Sequence, residues 1–262
     1  MKPGVFSAKK KDGTVYYRSS FTYKCKHISL GSFLTEDMAS DAYREALMLA
    51  DNFSVGLEHY NKKKHILSFK KWVSIINFRD NGLYFKTPIY LKKKYFEYYL
   101  DYDNSLKFDA DDLFYYSSHS IMKRGGHYFV SDYGMQINIL NRYGIKNFAV
   151  PGKDYRFVNG DNTDFRYINI DIINHYNGVT RDICNGLYIY TAKIHINGDI
   201  LIGRYNTEAD AGIAYNKAVD LLISKGVSIN YRKNYIDGID GDEYKSRYNS
   251  ISISKRLRDY NP

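Results

Sequence analysis

The chain has 262 residues, a formal net charge of +9, an isoelectric point of about 9.2 and a mean hydropathy of −0.50. These values predict a soluble protein of two or three small domains, and no apolar run approaches the roughly 20 residues of a membrane span. The first residues form no apolar signal core, and the two cysteines have neither metal-binding nor disulfide spacing. We therefore predict a cytoplasmic protein, associated with the nucleoid if it is bacterial or phage-encoded.

Charge and aromatic content together favour a polyanionic partner. The excess of lysine and arginine is accompanied by 28 tyrosines and 14 phenylalanines. Basic side chains attract phosphates, and aromatic rings suit contacts with nucleic acid. The composition alone leaves open the alternative of a basic protein that binds no nucleic acid.

Residues 1–52 are predicted to form a first small module. A turn at Asp12-Gly13 precedes a strand over 15–22, in which Tyr17, Ser19 and Phe21 alternate with polar residues. A second strand is predicted over 27–31 and a helix over 36–50. Residues 53–88 follow as a basic connector, whose lysines form either a solvated face or a segment that follows phosphates.

Residues 89–175 form the middle region of the chain. Its histidines, at positions 119, 127 and 175, are scattered and have no partner at metal-ligand spacing. Gly125-Gly126 is interpreted as a turn, because no glycine-rich strand-to-helix pattern surrounds it.

Residues 176–233 show the clearest pattern of the chain. Alternating residues over 188–196 predict a half-buried strand, and Asn197-Gly198 predicts a hairpin turn. Helical spacing follows, with Thr207 as the expected N-cap and acidic residues in the first turn. Residues 234–262 are predicted to be an acidic loop and a basic tail, which is either disordered or an arm that contacts phosphates.

The first and last modules are copies of one unit. Gly4-Val5 matches Gly178-Val179, and residues 30–36 match residues 202–208. The helical positions also correspond, which the following pairs show: Ala39 with Ala211, Ala42 with Ala214, Tyr43 with Tyr215 and Ala46 with Ala218. Self-similarity of this length predicts two structural repeats.

Each copy resembles the AP2/ERF DNA-binding domain. The family pattern is a Gly-Val pair, a strand of the form Tyr/Trp-x-Ala-x-Ile, a Leu-Gly-x-Phe-x-Thr segment and a helix with Ala-x-x-Ala-Tyr-x-x-Ala. The second copy has Ile202 and Tyr205 at the leucine and phenylalanine of the third segment. The second copy fits closely, whereas the first has Ser19 at the strand alanine and Phe21 at the isoleucine. The resemblance covers about 90 residues and implies two three-stranded antiparallel sheets, each backed by one helix, that read the DNA major groove.

The central region resembles the HNH homing endonucleases that carry AP2-type domains in phages and mobile elements. The order of its segments agrees, and Asn159-Gly160-Asp161, Arg166 and Asn169 match the last motif. The catalytic positions differ, because the first motif histidine falls on Asn141, the Asp-His pair on Arg156-Phe157 and the motif asparagine on Phe165. Phenylalanine neither binds a cation nor activates water, and an arginine repels a cation but can hold a phosphate.

The predicted fold class is therefore α+β, with two AP2-like modules around a degenerate HNH-like domain. We predict no catalytic residue, metal, cofactor or small-molecule substrate. The expected function is sequence-specific binding of double-stranded DNA, as a regulator encoded by a phage or mobile element. Two alternatives stay open: an active HNH-type endonuclease whose atypical site uses Asn141, Asp161, Asn169 or His175, and a phage factor that binds and inhibits a host nuclease or defence protein.

The candidate DNA-binding residues follow from strand alternation and the resemblance. They are expected on the face of each sheet that points away from its helix, and Arg156 is added as a phosphate ligand. The candidates of the first copy are Lys2, Phe6, Lys9, Tyr16, Arg18, Ser20 and Thr22. Those of the second copy are Asn177, Thr180, Arg181, Ile189, Lys193 and His195. Their asparagine and threonine content predicts a preference for AT-rich sites, with about ten phosphate contacts.

Overall fold

The computed structural model describes residues 2–228 and 231–262, which form two compact units. The first unit comprises the chain up to Ile137 together with Asp161–Asn169, and the second comprises Asn138–Gly160 and Ile170–Pro262. Met1 and residues 229–230, which fall within the predicted modules, lie outside the described residues. The predicted α+β class is confirmed, with several small three-stranded antiparallel sheets and a few helices. No helix among the described residues has both the length and the apolar character needed to cross a membrane.

The first module is a three-stranded sheet covered by a helix. Strands β1 (Val5–Lys9), β2 (Val15–Tyr23) and β3 (Lys26–Phe33) pair antiparallel in sequence order, and helix α1 spans Glu36–Asp51. Thr35 caps this helix, because its side chain accepts a hydrogen bond from the backbone N–H of Met38 at 3.2 Å. Alanines on the buried side of α1 let the helix lie close to the sheet.

The predicted basic connector is instead part of the first module's core. It contains helix α2 (Phe69–Asn81), in which Trp72, Val73 and Ile76 are almost fully buried. These side chains share one hydrophobic cluster with Phe21 of the sheet. The lysine-rich composition concealed the helical spacing of the apolar residues, which is the stronger structural signal.

Small elements complete the first unit. A second antiparallel sheet consists of β4 (Ile89–Leu91), β5 (Tyr95–Tyr99) and β6 (Ser105–Asp109). Helix α3 and a third sheet follow in the order α3 (Leu113–Ser118), β7 (Ile121–Arg124), β8 (His127–Asp132) and β9 (Met135–Asn138). The predicted central domain over 89–175 is therefore divided between the two units.

The second unit is built around the second module. After a 3-10 helix over Ile139–Tyr143, its first strands are the paired β10 (Tyr155–Phe157) and β11 (Ile170–Ile172). The module itself consists of β12 (Val179–Cys184), β13 (Leu187–His195), β14 (Asp199–Tyr205) and helix α4 (Glu208–Ser224). As predicted, Thr207 caps the helix by accepting a hydrogen bond from the backbone N–H of Asp210 at 3.1 Å.

The C-terminal residues fold onto the second module, where a loop and a basic tail were expected. They form α5 (Gly241–Ser250) and α6 (Lys255–Arg258). Ile253 and Leu257 are buried in the same cluster as the sheet residues of this module. The backbone N–H of Ser254 donates to the carbonyl of Ile202 at 2.7 Å. Apolar residues spaced along a segment of polar composition thus anchor it to the second module.

The two modules are also copies in backbone register. In the first, Val5 pairs with Ser19 and Ser19 with Gly31, and a bulge follows in β3. In the second, Val179 pairs with Ala192 and Ala192 with Gly203, and a bulge falls at the same place, as the register shift shows. Ser19 therefore occupies the position of Ala192, as the sequence comparison indicates.

Ser19 is the weak point of the first copy's core. Its side chain is 1% exposed, and its hydroxyl has no hydrogen-bond partner among the described residues. A buried hydroxyl without a partner costs about 1–3 kcal/mol. We expect Ser19→Ala to increase the free energy of unfolding by about 1 kcal/mol and Ala192→Ser to lower it by a similar amount. Urea unfolding of the two variants measures both changes, and a loss of stability in Ser19→Ala would contradict this account of the site.

Candidate nucleic-acid interface

Each sheet has one face against its helix and one face away from it, which we call the outer face. Strand register and alternation decide which residues share that face. The first outer face carries Phe6, Ala8, Tyr16, Arg18, Ser20, Thr22, His27, Ser29 and Ser32. The second outer face carries Thr180, Asp182, Ile189, Thr191, Lys193, His195, Leu201 and Arg204. Most of these side chains are exposed or half-buried, with Ser20 and Thr191 the exceptions.

Arg18 is the main cationic group of the first outer face. It is exposed, and its guanidinium donates a hydrogen bond to the hydroxyl of Tyr16 at 2.7 Å. The guanidinium carbon lies 5.4 Å from the centre of the Tyr16 ring, in the range of a cation–π contact. This support restricts the arginine side chain, so less entropy is lost when the planar group binds a ligand.

An arginine also lies in the equivalent row of the second outer face, on another strand. In the first module the row across the sheet is Phe6, Arg18 and Ser32. In the second it is Thr180, Thr191 and Arg204. The arginine thus lies on the third strand instead of the middle one, and neighbouring strands are about 4.8 Å apart. Sequence reasoning missed Arg204, although counting onward from the strand glycine Gly203 would have found it.

The second outer face also carries a carboxylate that the sequence-based list lacked. Asp182 is exposed and accepts a hydrogen bond from the hydroxyl of Thr191 at 3.1 Å. The position of Asp182 corresponds to Ala8 in the first module. The two outer faces therefore share a backbone but differ in the charges that they present.

His195 lies at the hairpin end of the second outer face. Its Nδ1 is 2.9 Å from Oδ1 of Asp199, and both side chains are largely exposed. The hydrogen bond from His195 lowers the pKa of Asp199. Lys193, which lies next to it on the same face, is exposed and supplies a further positive charge.

Five predicted residues do not lie on an outer face, and Lys9, Arg181 and Lys2 are three of them. Lys9 pairs with Val15 and Arg181 with Tyr190, so both are on the helix side of their sheets. Lys2 forms an ion pair with Asp37 in the first turn of α1. The predicted position of these residues on the face away from the helix is therefore wrong. Adjacent residues of a strand, such as Thr180 and Arg181, point to opposite faces of the sheet.

The two remaining candidates lie outside the sheets of the modules. The backbone N–H of Asn177 donates to the side chain of Asn234 at 2.7 Å, just before the first strand of the second module. Arg156 is exposed and donates to Asp171 across the β10–β11 pair at 2.8 Å. The guanidinium of Arg156, which was expected to bind phosphate, is thus already paired with the carboxylate of Asp171.

The positions that match the HNH motif have mainly structural contacts. Phe165 is 2% exposed and stacks on Phe108, with ring centres 5.6 Å apart. Asp161 accepts hydrogen bonds from Thr163, and Asn169 is buried and donates to the carbonyls of residues 161 and 164. The described residues contain no group of three or more metal-ligating side chains close enough to hold an ion.

Asn141 is exposed in a 3-10 turn of the second unit, and His175 is engaged with helix α4. Both the backbone N–H and Nδ1 of His175 contact the carboxylate of Glu208, at 2.6 and 2.9 Å. This hydrogen bond raises the pKa of His175 above its ordinary value of 6.5. Burial raises the pKa of Glu208, but the bonds from His175 outweigh it, so the pKa lies below its ordinary 4.5.

The His175–Glu208 pair predicts a stability that depends on pH. The contribution of His175 to the free energy of unfolding is fully present below pH 6.5, and it is lost as the pH rises through the raised pKa of this histidine. The contribution of the Glu208 carboxylate is fully present above pH 4.5, and it is lost as the pH falls through the lowered pKa of this group. We expect the free energy of unfolding of the wild type to exceed that of His175→Gln at pH 5.5, with a smaller difference at pH 8. Urea unfolding at both pH values measures this, and an unchanged difference would contradict it.

No model of a known protein family matches this chain, and neither a curated protein nor a solved structure shows significant similarity to it.

Proposed function

We propose that the protein binds double-stranded DNA in a sequence-specific manner, through the outer faces of its two modules. The supporting observation is the pair of outer faces, built on the same backbone and each bearing an arginine in the equivalent row. Exposed polar and cationic side chains on a sheet have no role in the core of their own module. They suit a polyanionic surface that presents hydrogen-bonding groups.

The major groove is the part of DNA that fits these faces. It is about 12 Å wide and accepts a two-stranded ribbon, and each base pair shows a distinct donor and acceptor pattern there. Arg18 and Arg204 each match the two acceptors of guanine, whereas the threonines match the thymine methyl. The proposed site therefore contains one guanine contact for each module beside the AT preference that the sequence predicts.

The two outer faces would read different positions within their half-sites. The arginines differ by one strand, or about 4.8 Å, which is more than the 3.4 Å rise of one base pair. Asp182 on the second outer face suits an exocyclic amino group, as on cytosine, and disfavours close phosphates. Two modules on one chain gain about 10²–10⁴ in avidity when both bind.

We propose further that this binding is not coupled to DNA cleavage, and that the protein acts as a regulator in a phage or mobile element. The substitution of phenylalanine at two positions of the HNH-like motif supports the first part, because Phe157 and Phe165 lack a proton-accepting or metal-binding atom. The proposed role as a regulator in a phage or mobile element rests on the resemblance of the AP2-like and HNH-like motifs.

The salt dependence of duplex affinity tests the proposal. We expect the logarithm of the affinity to fall as the logarithm of salt concentration rises, with a slope of about −0.9 for each phosphate that is contacted. A mobility-shift titration on one duplex over a series of salt concentrations gives this slope. A slope near zero would contradict the proposed polyanion contact.

A further inference from the structure

The first unit contains a cleft whose lining includes no residue of an outer face. Its volume is about 900 Å³, within the range of small-molecule sites, and it lies between residues 60–70 and the β5–β6 turn at 100–104. We call it the aromatic cleft and define it by Tyr60, Lys62, Phe69, Lys70, Tyr102 and Asp103. Sequence reasoning predicted no ligand pocket here, because the two sides of the cleft are 30 or more residues apart.

The walls of the aromatic cleft are tyrosine and phenylalanine rings. The ring of Tyr102 lies 5.4 Å from that of Phe69 and 6.2 Å from that of Tyr60. The Tyr60 and Phe69 rings are 4.9 Å apart. Tyr102 is 45% exposed, so part of its ring is open to a flat ligand. Aromatic side chains of this kind provide stacking surfaces for nucleobases.

Internal hydrogen bonds hold these walls in place without a ligand. The carboxylate of Glu45 accepts from the backbone N–H groups of Ile66 and Leu67, at 3.1 and 2.7 Å. The hydroxyl of Tyr60 donates to the carbonyl of Leu67 at 3.2 Å, and that of Tyr102 donates to the carbonyl of Glu58 at 3.1 Å. A ligand would therefore enter a preformed site and lose little affinity to ordering it.

Opposite charges line the two sides of the aromatic cleft. Lys62 and Lys70 are exposed on one side, and neither has an ion-pair partner among the described residues. On the other side, Asp101 accepts the backbone N–H groups of Asp103 and Asn104, at 3.0 Å each. This turn presents the exposed carboxylate of Asp103. The site thus combines ammonium groups, a stacking surface and a hydrogen-bond acceptor.

We infer that the aromatic cleft binds a nucleotide, with the base stacked on Tyr102 and the phosphate held by Lys62 and Lys70. Asp103 accepts a hydrogen bond from an exocyclic amino group of the base, which favours adenine and cytosine over thymine. The same chemistry is presented by a free nucleotide and by an unpaired base of a single strand. This inference is independent of the outer faces, which are proposed to bind duplex DNA. In a duplex each base is already stacked on its neighbours, so its flat face is not accessible to Tyr102.

The only tryptophan of the chain reports on this site. Trp72 is fully buried against two side chains that line the aromatic cleft, with its ring 5.4 Å from that of Tyr60 and 4.4 Å from that of His65. Its fluorescence can be followed in the full chain without a label. We expect saturable changes on titration with adenosine or cytidine monophosphate, or with short single strands of the same bases. Thymidine monophosphate should bind more weakly.

Paired variants separate this site from general charge effects. We expect the double substitution Lys62→Ala and Lys70→Ala to weaken binding at least about tenfold, and Tyr102→Leu to do the same. The controls are Lys245→Ala with Lys255→Ala, which remove the same charge from the second unit, and Tyr133→Leu, which removes a tyrosine that is 96% exposed. Duplex affinity should be unchanged in all of these variants, so this test is independent of the proposed function.

Each outcome is decisive. Binding of the monophosphates identifies a free-nucleotide site, and binding of single strands alone identifies an unpaired base within a strand. Either result supports the inference if the cleft variants weaken it and the controls do not. The absence of any fluorescence change at millimolar nucleotide or micromolar strand would overturn it, as would equal losses in the cleft and control variants.

Discussion

Gly178→Ala is expected to destabilise the second module by about 2–5 kcal/mol, the sum of a left-handed backbone and an overpacked contact. Gly178 has a φ of +71°, and a methyl group added there would lie 2.4 Å from the carbonyl oxygen of Lys193 and from the ring of Tyr215. The same position in the first module is Gly4, with a φ of +69° and the ring of Tyr43 at 2.1 Å. The glycine allows helix, strand and loop to meet at one point in each copy.

A matched control separates the cost of the left-handed backbone from the cost of the close contact. Gly186 in the β12–β13 turn has a φ of +78°, but no atom lies within 4 Å of an added methyl group. We expect Gly186→Ala to cost only about 1–2 kcal/mol. Urea unfolding, combined with hydrogen exchange of the second module's amides, measures both variants. Equal effects at Gly178 and Gly186 would show that the close contact with Tyr215 does not contribute.

Arg18→Glu is expected to lower the affinity for a specific duplex at least about 100-fold. A bidentate arginine–guanine contact is worth about 1–3 kcal/mol, and the carboxylate adds repulsion from nearby phosphates. Loss of the Arg18 contact also lowers the avidity that comes from linking two modules on one chain. Fluorescence anisotropy at 0.15 M salt, where screening acts over about 8 Å, measures the effect with little contribution from distant charges.

Lys9→Glu provides the control on the opposite face. It changes the net charge by the same amount in the same sheet, but Lys9 pairs with Val15 on the helix side. We expect an effect of no more than about fivefold, because the screened charge is not directed at the DNA. If the two variants weakened binding equally, net charge would account for the affinity and the assignment of the outer face would be wrong.

The repeated parts of the fold were predictable because they depend on local signals. Gly4 and Gly178, Thr35 and Thr207, and the paired helical alanines each have a fixed geometric role, and each appears twice at matching spacing. The strands and helices of both modules therefore follow from the sequence. The faces of the strands were harder to assign, since the first strand of each copy is short and carries polar residues on both faces.

The parts that were missed depend on contacts between distant residues. Helix α2 was interpreted as a connector because lysines surround its buried Trp72, whose role is decided by packing against the first module. Leu257 is buried for the same reason, although its neighbours are basic. Arg204 follows a bulge, which reverses the alternation expected of a regular strand. The aromatic cleft joins segments that sequence patterns treat separately.

The selection of bound duplexes from a random DNA pool, with Mg²⁺ present and the recovered strands examined for nicks, tests the central claim most directly. We expect an enriched bipartite motif with one guanine in each half, recovered uncut. We also expect Arg18→Glu to remove the sequence preference in one half and Arg204→Glu to remove it in the other. Recovery without sequence enrichment, by binding that disappears at moderate salt, would contradict sequence-specific recognition by the two outer faces and would direct attention to a protein partner.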